Sequence, residues 1–160
     1  YEILAERTVE QLKYIHAVYD LAKEKGYIQD ATFAGMKHRM EQENMQRSEK
    51  VARGEAVYGL KEYTLDLYQE YELSMIEEAY ILDETNEGMG LTEEEIEAYY
   101  NTRDWIVGED ARKADLSEAR AAVIDEMRRN RYQELTEQKA AVAEVDGDMD
   151  QLSQFTLKQL

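Results

Sequence analysis

Two histidines, thirty-six carboxylates and no cysteine are the chain's reactive inventory across 160 residues. That inventory excludes thiol nucleophiles, disulfides and thiolate metal sites at once. A carboxylate-bridged metal oxidase built in a helical bundle needs Glu-x-x-His pairs on two helices. Here Lys13 and Gly35 stand three residues before His16 and His38. His16 falls at the edge of an apolar stripe and His38 on a polar face, so both read as ordinary helix-surface residues. No serine sits in a glycine elbow, and no glycine run matches a dinucleotide or phosphate loop.

One acidic segment has the spacing of a calcium loop. In DETNEGMGLTEE, residues 83–94, Asp83, Thr85, Glu87, Gly88 and Glu94 fall at positions 1, 3, 5, 6 and 12 of a helix–loop–helix ligand set. Gly90, however, stands where such a loop inserts an apolar side chain, and the later acids suffice as helix-start charges. A glycine-rich hinge before a capped helix is the plainer reading, with a calcium-responsive switch as the minor alternative. Asp146, Asp148 and Asp150 lack both the following glycine and the terminal glutamate, and read as solvated acids. Arg128, Arg129 and Arg131 form the sole dense basic patch; in a chain of net charge -17 they are expected to pair with Glu126, Glu134 or a neighbouring helix. No cofactor or metal is implied, and the chain reads as a non-enzyme.

The same charge argues against nucleic acid, since a uniformly acidic surface repels phosphate backbones. What the chain holds in unusual supply is 12 Tyr and 7 Met, with 1 Trp and 2 Phe. Methionine is flexible and polarizable, and tyrosine joins an apolar ring to a wet tip, a pairing suited to surfaces that accept apolar segments.

The elements that must position these residues are helical. The chain has no proline, the commonest helix interrupter. Leu4, Thr8, Leu12, Ile15, Tyr19 and Ala22 recur three or four apart and predict an amphipathic helix over 3–25, stopped by Gly26. A second helix of about twenty residues follows, capped from within Gln29 to Thr32, with Asp30 the preferred cap, and ending before Gly54, with a thin stripe of Phe33, Met36, Met40 and Val51. The segment GEAVYG, 54–59, reads as a short extended connector carrying Val57 and Tyr58 into a core. From Leu65 to about Asp83, apolar residues cover more than half the helix circumference, which predicts the centre of the bundle. Thr92 and Glu95 form a capping box, with Leu91 and Ile96 as its hydrophobic staple, opening a short helix through Tyr99 and Tyr100. After about fourteen connecting residues, Asp115 and Glu118 repeat the capping pattern for a last helix over 116–143, striped by Leu116, Ala119, Val123, Met127 and Leu135.

The fold class is therefore all-α, a bundle of four to five helices over 1–145, followed by a polar turn and weakly structured tail over 146–160. The opening YEILAERTVE reads as neither a signal peptide nor a membrane span.

The order of these elements resembles the helical chaperone domain of SurA- and PrsA-type extracytoplasmic foldases. The resemblance lies in LAKEKGYI, in EQENMQR running into GEAVYGLKEYTLDLYQEYELSMIEEAYI, in GLTEEEIEAYYNTRD, and in DLSEARAAVIDEMRRNRYQELTEQKAAVAEV. It covers about residues 3–145. In that family a parvulin prolyl-isomerase domain is inserted between the last two helices; the fourteen residues present here are too few to bury a core, so no isomerase site carries over. The resemblance then implies a lipid-anchored, extracytoplasmic holdase, touching the membrane only through a removed anchor.

The expectation is a groove between the second, third and 92–101 helices that binds unfolded or extended polypeptide clients. Met36, Met40, Tyr68, Tyr71, Met75, Tyr99, Tyr100 and Trp105 would be its peptide-binding residues. Burying a client Leu or Phe contributes roughly 1.5–3 kcal/mol, so two or three such contacts support exchangeable binding. The alternative is a structural scaffold or homodimerisation module with no client.

Overall fold

A computed structural model describes residues 2–107 and 111–144; the expected tail over 146–160 lies outside the described residues. Five helices carry the fold: α1, Glu2–Glu24; α2, Phe33–Ala52; α3, Leu65–Leu82; α4, Glu93–Tyr100; and α5, Leu116–Val142. The all-helical expectation holds. Among the described residues the addition is a two-residue antiparallel pair, β1 (Ile106–Val107) and β2 (Arg112–Lys113), with Ile106 opposite Lys113 and Val107 opposite Arg112. It lies between α4 and α5, where the sequence reads as a plain connection of about fourteen residues. None of the described helices is long and apolar enough to cross a membrane.

The described residues divide into two compact units, one of 2–76 with 138–144 and one within 77–137. The core of the first unit gathers Val18, Tyr19 and Ala22 of α1, Met36 of α2, and Tyr68 and Ile76 of α3. On α3, Tyr68, Glu72 and Ile76 are four apart, so one helical face turns inward. The buried carboxylate of Glu72 is neutralised across the core by Arg39 of α2, whose Nε and Nη2 donate to its two oxygens at 2.5 and 3.0 Å. A forked pair of this kind satisfies both charges at once, which a buried carboxylate requires. Tyr68 also donates to Glu72, at 3.3 Å. Burial, reinforced by Glu72, pushes the Tyr19 and Tyr68 hydroxyls well above the ordinary value of 10.0.

Asp30 does not cap α2. Its carboxylate accepts the Thr32 N–H at 2.8 Å, and Thr32 becomes the cap, accepting the Gly35 N–H at 3.1 Å. The approach is so close that a Cβ on Gly35 would meet Asp30 Cγ at 2.5 Å, so only glycine fits. Asp30's backbone carbonyl also accepts from Arg39, at 2.6 Å, joining this turn to the Glu72 pair.

In the second unit, Ile96 of α4, Trp105 and Ala114 around the β pair, and Ala119, Val123 and Met127 of α5 form the core. Both expected capping boxes are present. Thr92 Oγ1 accepts the Glu95 N–H while the Glu95 carboxylate accepts the Thr92 N–H, and Asp115 and Glu118 exchange the same two bonds. Leu91 packs against the core to which Ile96 belongs.

The segment between α3 and α4 is a fixed corner. Met89 is 0% exposed, and Asn86 is buried with its side-chain amide donating to the Tyr80 carbonyl at 2.9 Å. Of the expected partners of the three clustered arginines, Glu126, Glu134 or a neighbouring helix, the structure gives the last: Arg129 reaches α3 and Arg131 reaches α4. Arg128 donates to the Met89 carbonyl (3.0 Å) and Glu84 (2.8 Å), and Arg131 to the Gly88 carbonyl (3.0 Å) and Glu95 (2.7 Å). Arg129 bonds Glu77, Glu78 and Asp125.

Candidate docking surface

The acids of the calcium-like spacing do not converge. Asp83 Oδ1 accepts the N–H and the hydroxyl of Thr85, and Glu84, Glu93 and Glu95 are each held by an α5 arginine. Among the described residues, no three His, Cys, Asp or Glu side chains are grouped to hold a metal ion. His16 and His38 are exposed, and His38 shares a hydrogen bond with Gln42, at 3.0 Å.

The eight residues expected to line a peptide groove fall into both units. Met36, Tyr68 and Trp105 are spent on core packing, Met36 being 2% exposed. Met40 and Tyr71 are half-buried against the first core, and Tyr99 and Tyr100 against the second. Tyr99 donates to Glu126 at 2.8 Å and Tyr100 to the Ala114 carbonyl at 2.7 Å, so both hydroxyls already serve their own fold. Trp105 Nε1 donates to the Tyr100 carbonyl, at 3.1 Å. Of the eight, Met75 alone is largely open, at 51% exposure.

The open apolar surface lies where the sequence pointed inward. Tyr58 is 88% exposed, so the connector between α2 and α3 carries it out to water and not into a core. The physical reason is how this segment is anchored. Arg47 of α2 reaches across and donates one nitrogen to the Tyr58 carbonyl (3.0 Å) and the Leu60 carbonyl (2.6 Å). Asn44 exchanges both amide bonds with the Tyr63 backbone, at 2.9 and 2.7 Å. The carbonyls are drawn toward α2, and Gly54 and Gly59, at φ +72 and +77, let the chain bend where a side chain would strain.

Tyr63 anchors the far end of the connector. The Arg47 guanidinium lies 4.8 Å from its ring centre, and the ring stacks on Tyr71 of α3 at 5.1 Å. One turn to either side of Tyr71 on the same helix are Leu67, 43% exposed, and Met75. Leu67 and Met75 are thus apolar side chains of α3 that its own unit does not cover, and the helix is less enclosed than its composition predicted. The resulting surface has a rigid backbone, open apolar tips and no catalytic groups.

No protein-family model matches the chain. It is 37% identical over 158 residues to a Bifidobacterium longum subsp. longum protein named as a chaperone for lacto-N-biosidase. That alignment spans 98% of the chain and 56% of the relative, so the chain covers just over half of that protein's length. Two crystal structures of a GH136 lacto-N-biosidase from Eubacterium ramulus, native and selenomethionine forms, share the fold. Their TM-scores are 0.67 and 0.69 at 19% and 18% identity, covering 91% of this chain and 29% of the hydrolase chain.

These findings correct the foldase resemblance. The likeness along nearly the whole chain is to a protein named as a chaperone for lacto-N-biosidase, and not to the SurA and PrsA foldases. The motifs that suggested the foldases are capped amphipathic helices joined by glycine turns, and such signals report helix ends in any bundle.

Proposed function

We propose that the chain is a non-catalytic chaperone whose client is a glycoside hydrolase of the lacto-N-biosidase kind. The observation that carries this reading is the 37% identity along 98% of the chain to a protein named for that task. The recurrence of the same fold as part of a lacto-N-biosidase chain gives secondary support, because a fold found in one polypeptide with the hydrolase is a natural partner for such a hydrolase in trans.

The chemistry of the chain fits a partner more than a hydrolase. A glycosidase needs two carboxyl groups facing one sugar, one of them an acid with a raised pKa. Here Asp30, Glu93, Glu95, Asp115 and Glu118 are all held below their ordinary values, by backbone N–H groups, a neighbouring hydroxyl or arginines. Asp30 is held by its hydrogen bonds from Thr32, and the other four by a helix cap or an ion pair. The buried Glu72 is fully engaged by Arg39.

A chaperone of this kind acts by covering apolar client surface that would otherwise aggregate during folding, so its useful property is a stable apolar face. Co-expression tests the reading. The lacto-N-biosidase of Bifidobacterium longum should accumulate as soluble, active enzyme when this chain is present and as inactive aggregate when it is absent, while the chain alone should release no sugar. Equal hydrolase activity without the chain, or glycosidase activity of the chain alone, would overturn it.

A further inference from the structure

We infer that the client docks on the face of the first unit formed by the connector 53–64 and the outer side of α3, and that the client segment it takes is apolar and flanked by Lys or Arg. The inference rests on the chaperone reading and names the surface and the partner chemistry that the reading leaves open.

The apolar part is Tyr58, Leu60, Leu67, Tyr71 and Met75. All but Tyr71 are largely exposed. They are linked through one chain of contacts: Arg47 holds the Tyr58 and Leu60 carbonyls, its guanidinium covers Tyr63, and Tyr63 stacks on Tyr71 between Leu67 and Met75. A solvent-exposed tyrosine on a backbone fixed at four hydrogen bonds presents its ring without first having to order a loop, which lowers the entropic cost of binding.

Charge identifies the occupant. The arginines on the α2 side are already neutralised, Arg39 by Glu72, Arg47 by Glu43, and Arg53 by Glu49 and Glu55, while Lys50 is exposed and makes no ion pair among the described residues. Glu62, Asp66 and Glu70 are exposed and make no ion pair among the described residues, and Lys61 is the single base set among them in sequence. The apolar surface therefore carries an excess of unbalanced negative charge along its edge. A second copy of this chain in a two-fold dimer would bring that acidic edge against itself, since such interfaces pair the same patch from both subunits. A client with Lys or Arg beside its apolar side chains meets complementary charge instead.

The test is a refolding titration. Bifidobacterium longum lacto-N-biosidase is diluted from denaturant into increasing concentrations of this chain, and the concentration giving half of the maximal recovered activity is read. Y58A and M75A each change an exposed side chain, so folding is left intact, and each should raise that concentration roughly tenfold. The triple reversal E62K/D66K/E70K should raise it further at low salt and lose most of that effect at high salt. I106A, an exposed apolar residue of the second unit, should leave it unchanged. Wild-type chain that gives no recovery overturns the chaperone reading and this surface with it. Recovery by wild type and equally by Y58A and M75A overturns the surface alone. Sedimentation showing a wild-type dimer that Y58A dissolves would assign the face to a second copy and overturn the client assignment.

Discussion

Replacing Arg47 by Met should free the connector from α2 without emptying the space that the arginine stem fills. Two guanidinium bonds to carbonyls would be lost, at 3.0 and 2.6 Å, together with the cation–π contact at 4.8 Å. The carbonyls are exposed and regain water, so each bond is taken near the neutral net value of about 1 kcal/mol, and the ring contact adds about 0.5–1 kcal/mol. The sum, about 2–3 kcal/mol, falls on the local opening of 53–64, and the cores of both units are untouched. At about 1.4 kcal/mol per factor of ten, opening becomes roughly 30- to 100-fold more frequent. The Tyr63 amide is the direct reporter, because it donates to Asn44 Oδ1 at 2.7 Å and exchanges only when that bond breaks. Hydrogen exchange read by mass spectrometry over 55–64 should show the acceleration, with the α5 amides unchanged. A change of less than about threefold at Tyr63 would mean that Arg47 does not hold the connector, and the case for a preformed face would go with it.

Further outcomes follow from the same contacts. Met89→Ala and Ile96→Ala each empty space in the second unit, where the two side chains are at most 2% exposed, and should cost about 2–5 kcal/mol in urea unfolding. Thr92→Ala removes the α4 cap and should cost about 1 kcal/mol, measured the same way. Glu93 and Glu95 have folded pKa values below the ordinary 4.5, by Arg120 for the first and by the Thr92 N–H and then Arg131 for the second. Their stabilisation is therefore present above that value and is lost as pH falls through the lower folded values, so the melting temperature should begin to drop below about pH 4.5, less steeply in R131A. Tyr19 and Tyr68 have the opposite sign: both are raised above 10.0, so their contribution is intact below pH 10 and is lost as pH climbs beyond it. Phenolate absorbance should rise for the exposed tyrosines first and for these two only as the first unit unfolds.

Much of the helical frame was legible because its signals are local. Thr92 with Glu95 and Asp115 with Glu118 specify helix starts from four residues each, and the structure places α4 and α5 there. Periodicity reports which residues share a face, but not which faces have a neighbour. Thus Leu67 looked like core on a helix that is apolar over more than half its circumference and is open, and of the residues that looked available Met75 is open while Met36, Tyr68 and Trp105 are buried. Tyr58 points outward because Arg47, eleven positions earlier, holds its carbonyl, a pairing that no spacing rule contains. Met89 was hidden for a related reason: its segment reads as a glycine hinge until Arg128 and Arg131 of α5 are seen to clamp it. Thr136, fully buried, escaped notice because its hydroxyl is satisfied within its own helix by the Tyr132 and Gln133 carbonyls.

Order of addition separates help given during folding from help given afterwards. Lacto-N-biosidase from Bifidobacterium longum is diluted from denaturant with this chain present from the start, with the chain added after refolding has run its course, or with no chain. Active hydrolase is expected in the first case and little in the other two, because the chain acts while the client's apolar surface is still exposed. Full activity with no chain, or full activity on late addition, would contradict it.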